Sequence, residues 1–71
     1  MNIRDTVREE IENWVSANPR ERGERVRDYR VRARRGVEAR LKKEYPVGSP
    51  ILMVLLQLLP LLIEWFVNRR S

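Results

Sequence analysis

The sequence contains neither cysteine nor histidine. That removes disulfides, thiolate chemistry and the commonest transition-metal ligands together. Without histidine, no base stands ready to activate the hydroxyls of Thr6, Ser16, Ser49 or Ser71. Three of the ten carboxylates precede a base by four residues, Glu21/Arg25, Asp28/Arg32 and Glu38/Lys42, a spacing that supports helices. A non-enzyme without a cofactor or a metal site is expected. With only three glycines there is no Gly-rich phosphate loop, and neither strand alternation nor an internal repeat is present. An apolar run is missing from the N-terminal 30 residues, where a secretory signal would carry one.

Length is scarce as well. A chain of 71 residues buries only a modest fraction of its surface. If a third of it lies in lipid, the remainder needs a partner, a second copy or a membrane surface.

What the chain has is one long apolar stretch, VGSPILMVLLQLLPLLIEWFV, from Val47 to Val67. No charge occurs between Pro46 and Ile63, and from Ile51 to Val67 only Gln57, Pro60 and Glu64 interrupt the apolar side chains. Each central Leu, Ile, Val or Phe favours insertion by about 0.3–0.6 kcal/mol. A dozen of them outweigh one amide and an off-centre carboxyl. At about 1.5 Å per residue, some 20 residues cross a hydrocarbon core of about 30 Å. The stretch reads as a transmembrane helix, with Trp65, Arg69 and Arg70 as interfacial anchors at one end. Only Asn68 to Ser71 follow it, so a tail-anchored arrangement is expected. Seven basic residues from Arg30 to Lys43 lie just before the span against two after it. The positive-inside tendency then puts the N-terminus on the cytoplasmic side or its equivalent in a virion.

Charge divides the rest. The formal net charge of +5 resolves into −2 over Met1 to Pro19, +6 over Arg20 to Tyr45 and +1 beyond. Ile3, Val7, Ile11, Trp14, Val15 and Asn18 share one side of a helix from Ile3 to Ala17. Either Asn2 or a Thr6/Glu9 capping box would start it. Asn18-Pro19-Arg20-Glu21 reads as a stop followed at once by a new start, with Asn18 as N-cap and Pro19 at N1. A second helix from Pro19 to Tyr45 then carries Val26, Tyr29, Ala33, Val37, Leu41 and Tyr45 at helical spacing, weakened by Gly23 and Gly36. Ser49-Pro50 repeats the cap-then-proline pattern for the span. The fold class is therefore all-α: two charged amphipathic helices followed by one C-terminal transmembrane helix. Residues 1–45 form the charged region with a break at 18–19, residues 46–50 a Pro/Gly hinge, and residues 51–71 the span with a short basic tail.

Two sets of residues are candidates for binding. Thirteen arginines against two lysines suit phosphate, because a guanidinium forks onto it bidentately. Arg25, Arg27, Arg30, Arg32, Arg34, Arg35, Arg40, Lys42 and Lys43 are the candidate phosphate- or partner-binding residues, toward anionic lipid or nucleic acid. Inside the span, Gln57, Pro60 and Glu64 recur at helical spacing and form a candidate helix–helix contact, since polar groups in lipid seek partners. Pro60 also deprives the Leu56 carbonyl of its hydrogen bond.

The leading functional expectation is a small membrane-anchored structural or accessory subunit docking on a larger assembly, such as a membrane complex or a lipid-containing virion. The alternatives are a basic tether between a membrane and nucleic acid or anionic lipid, and a soluble obligate oligomer burying the apolar helix among its copies. A pore former of the holin type is a weaker alternative.

Overall fold

A computed structural model describes residues 2–70, the side chain of Arg70 excepted. Three helices carry the described chain: α1 (Ile3–Ala17), α2 (Val26–Glu44) and α3 (Pro50–Arg70). Each packs on the other two, in a body of 37 × 19 × 17 Å.

Asn2 starts α1. Its side-chain oxygen accepts hydrogen bonds from the N–H groups of Arg4 (3.0 Å) and Asp5 (3.4 Å), and Asp5 adds a negative charge to the first turn. Thr6 lies inside the helix and donates its hydroxyl to the Asn2 carbonyl at 3.1 Å, so the Thr6/Glu9 alternative is not the start.

The break after α1 corrects the sequence reading. Asn18 does not begin a helix; it closes α1, donating its N–H to the Trp14 carbonyl (2.8 Å) and its side-chain amide to the same oxygen (3.0 Å). Residues 19–25 are irregular, and Gly23 takes a left-handed conformation (φ 84°) that a side chain would strain. The second helix starts at Val26 instead of Pro19. The reason is tertiary. A loopless break at Pro19 leaves no chain with which to turn α2 back along α1, and that return is what buries both apolar faces.

The return is antiparallel, since Trp14 near the end of α1 meets Tyr29 near the start of α2, and Glu10 meets Arg40 further along. At the turn a clamp holds the two helices together. The Trp14 and Tyr29 rings lie 5.8 Å apart, and the Arg32 guanidinium sits 5.4 Å and 5.2 Å from their centres. Arg32 Nε and Nη2 donate to both oxygens of Glu24, at 3.0 and 2.9 Å. The Tyr29 hydroxyl donates to the Asn18 carbonyl at 2.7 Å. Cation–π contact and a forked ion pair thus act on one guanidinium.

Lys42 and Lys43 complement the dipole of the last turn of α2, and Gly48 (φ 85°) turns the chain into α3. The Ser49 carbonyl accepts the first bond of α3 from Met53 N–H (3.1 Å), with Pro50 at the first helical position as expected. The helix runs through Pro60 to Arg70 and is long and apolar enough to cross a membrane.

One core joins the three helices. Val7, Ile11 and Trp14 of α1 and Tyr29, Ala33, Val37 and Leu41 of α2 close on Leu52, Leu55, Leu59, Ile63, Phe66 and Val67 of α3. No polar side chain is buried among the described residues. The charged region is therefore not separate from the apolar helix: it covers one side of it.

Gly36 has a definite place in this packing. A Cβ built there would overlap Nε1 and Cε2 of the Trp14 indole and lie 2.8 Å from its Cδ1. Alanine is the better helix former by about 1 kcal/mol, but overpacking a seated ring costs about 1–3 kcal/mol. Gly36→Ala should lower the stability measured by urea unfolding. A stabilised variant would mean that the indole does not rest on this backbone.

Candidate functional site

Two helices can cover only one side of a third. In α3 the covered side is Leu52, Leu55, Leu59, Ile63, Phe66 and Val67. Ile51 (45 % exposed), Met53 (58 %), Val54 (39 %), Leu61 (67 %) and Trp65 (51 %) stay open. Only 33 % of the apolar window in Pro50–Arg69 is buried.

The open side is not uniform. Gln57, Pro60 and Glu64, the candidate contact residues, are all exposed and take no part in the core. Pro60 and Glu64 border the α2 side, where Glu64 Oε1 lies 3.8 Å from Arg30 Nη1. Pro60, Ile63 and Glu64 face Arg27, Arg30 and Arg34 across a recess of about 330 Å³. These three arginines share a side of α2 because they are spaced by three and four residues.

On the α1 side the strip is apolar. Leu58, Leu61, Leu62 and Trp65 form one wall of a groove of about 570 Å³, opposite Arg4 and Arg8. A further recess continues it past Ile3 to Val54. Arg8 pairs with Asp5 at 3.2 Å. Arg69 lies 4.8 Å from the Trp65 ring, so these two expected anchors act as one unit. Arg70, the third, falls outside the described side chains.

Arg4 and Arg8 escaped the sequence reading because they sit in a stretch of net negative charge. The available signal was position: they border Ile11 and Val15 on α1, whereas Glu9 and Glu12 lie on its outer side.

The remaining basic candidates scatter. Arg32 is engaged by Glu24 and the two rings, and by the Pro19 carbonyl at 3.3 Å. Arg40 donates to Glu10 at 2.9 Å, and Lys42 pairs with Glu38 at 3.0 Å. Asp28 is passed over by Arg32 in favour of Glu24, and Glu21 and Arg25 precede the helix instead of pairing along it. Arg25, Arg27, Arg34, Arg35 and Lys43 make no ion pair among the described residues.

Two carboxyls respond to this arrangement in opposite senses. Glu24 is held below its ordinary value, chiefly by the hydrogen bonds from Arg32 and then by the Glu21 N–H. Glu44 is pushed up, first by loss of solvent and then by the charge of Glu10 and a hydrogen bond with it, with Arg40 opposing. A depressed carboxyl stabilises the fold above its unfolded value of about 4.3 and loses that contribution as the pH falls toward its folded value. A raised one penalises the fold at neutral pH, and protonation lifts the penalty. Glu24→Gln should therefore lower the melting temperature at pH 7, with the gap from wild type closing below about pH 4. Glu44→Gln should raise it, the gain fading as acid protonates Glu44 in the wild type. Thermal melts followed by circular dichroism from pH 7 to pH 3 check both, and gaps that ignore pH would refute the assignments.

No protein-family model, no curated protein and no solved structure matches the chain.

Proposed function

We propose that the protein is a small membrane-associated accessory protein, in which α3 enters the bilayer and the charged α1–α2 pair docks on a larger assembly in the aqueous phase. The observation that carries this reading is the open apolar strip of α3, with Leu61 67 % and Trp65 51 % exposed after the bundle has closed. Burying a Leu or Ile side chain is worth about 1.5–3 kcal/mol. A helix meant for a lone soluble bundle would carry polar residues at Ile51, Val54, Leu61 and Trp65. Trp65 with Arg69 over its ring suits the boundary between acyl chains and headgroups.

Crossing the membrane and closing the bundle exclude each other. Arg4, Arg8, Glu10 and Arg40 lie on helices packed along α3, and a charge at mid-bilayer costs about 2.5–3.5 kcal/mol. For α3 to span, α1 and α2 must swing away about residues 45–49, where Gly48 sets the turn. Lipid then covers Leu52, Leu55, Leu59 and Ile63 in their place. The pair is held together as it leaves by the Trp14–Tyr29 ring contact, the Arg32–Glu24 fork and the Arg40–Glu10 bond, which run within α1, α2 and their connection. The basic residues from Arg30 to Lys43 favour keeping that unit on the cytoplasmic side.

A soluble oligomer is the second reading, favoured by a core that holds no polar side chain and needs no lipid to be complete on its inner side. A single substitution separates the two. Leu61 is outside the core, so Leu61→Arg should leave helicity and melting unchanged while cutting partition into membranes about 100-fold, as expected from the cost of a charge in the span. Carbonate-resistant membrane recovery of the wild type, lost in this variant, supports the proposal. Wild-type protein recovered without detergent as a discrete oligomer would replace it with the second reading.

A further inference from the structure

The two grooves beside α3 have the same chemistry at their outer edges. On the α1 side stand Arg4 and Arg8, and on the α2 side Arg27, Arg30 and Arg34. Between them runs the strip of Val54, Leu58, Leu61 and Trp65. The geometry points to the closed bundle as a membrane-binding form in its own right: it seats the α3 face flat on an anionic bilayer, with lipid phosphates held by arginines on both flanks. This rests on the membrane reading above and adds to it a state in which no helix crosses.

Charge balance on this face selects the partner. With Arg69, six guanidiniums meet two carboxylates, and each carboxylate is already taken: Asp5 by Arg8 at 3.2 Å and Glu64 by Arg30 at 3.8 Å. Arg4, Arg27 and Arg34 have no acid partner among the described residues. The other acids of α1 lie elsewhere, Glu10 on Arg40 and Glu9 and Glu12 exposed outside both grooves. A second copy meeting this face through the same face would set arginine against arginine. Duplex nucleic acid would satisfy the guanidiniums but leave Leu61 and Trp65 in water. An anionic phospholipid layer matches both parts, phosphate for the flanks and acyl chain for the strip.

The dimensions agree. Packed helices lie about 8–10 Å apart, so the arginine rows straddle α3 along a body 37 Å long. An interfacial helix sinks its apolar face about 5–10 Å into the headgroup boundary. Arginine stems can lie along apolar surface while the guanidinium reaches up to phosphate. The closed bundle therefore needs no rearrangement to bind in this way, unlike the spanning form.

The test uses the full chain and vesicles of phosphatidylcholine, with and without 30 % phosphatidylglycerol. The face variant combines Arg4→Gln, Arg8→Gln, Arg27→Gln, Arg30→Gln and Arg34→Gln. A control removes as many charges elsewhere: Arg20→Gln, Arg22→Gln, Arg35→Gln, Lys42→Gln and Lys43→Gln. Circular dichroism melts establish that both fold. On phosphatidylglycerol vesicles the face variant should bind about 50-fold more weakly than wild type and the control about fivefold at most, both differences shrinking in high salt. Oriented circular dichroism of the wild type at low protein-to-lipid ratio should place the helices parallel to the bilayer.

Equal losses in the two variants would reduce the effect to overall charge and overturn the inference. So would wild-type binding to phosphatidylcholine alone at the same affinity, or helices standing upright at low coverage. A face variant that loses duplex DNA but keeps vesicles would assign the arginines to nucleic acid. Wild type that floats with neither vesicle would remove the membrane reading itself.

Discussion

Everything in this molecule follows from a helix that is apolar on more sides than its neighbours can cover. The helix α3 offers one face to α1 and α2, and those two faces are consumed in closing the core over it. Nothing remains in the described chain to cover Ile51, Val54, Leu61 and Trp65. The uncovered strip is the consequence of having two amphipathic helices where a fully buried helix needs more.

The two charged helices answer a different constraint. Each carries too many ionic groups to be a stable partner by its apolar face alone, and the clamp at their turn supplies the register. Trp14 rests on Gly36 and against Tyr29, while Arg32 bridges the rings and Glu24. These contacts lie within α1, α2 and their connection, while the apolar faces of both helices close on α3.

Charge is sorted on the folded molecule in a way that composition hides. The N-terminal segment is acidic overall, yet its two arginines border α3 and its exposed glutamates face away. In α2 the arginines divide by angle: Arg32 and Arg40 turn toward α1 and find carboxylates, whereas Arg27, Arg30 and Arg34 turn toward α3 and find chiefly apolar wall. Segment totals of −2 and +6 give no hint of this division.

The helices α1 and α3 were legible from the residues, as were the apolar sets Val7, Ile11 and Trp14 and Tyr29, Ala33, Val37 and Leu41, because helical periodicity and cap residues are properties of short stretches. The length and apolar character of α3 were equally plain, being matters of composition. Three things were not legible. Asn18 and Pro19 had the chemistry of a helix start, but the return of α2 onto α1 required a loop, and Asn18 turned back to Trp14 instead. Arg32 had Asp28 at helical spacing but took Glu24, eight residues away, because only there could the guanidinium also lie over two rings. Arg4 and Arg8 joined the arginines of α2 around α3 through packing between helices distant in sequence. Sequence by itself determined that the chain carries three helices and which side of α1 and α2 is apolar, since periodicity is set within a few residues, but not where α2 begins. Tertiary structure alone decided which side of α3 is left uncovered and which cations border it, since both depend on where separate helices meet.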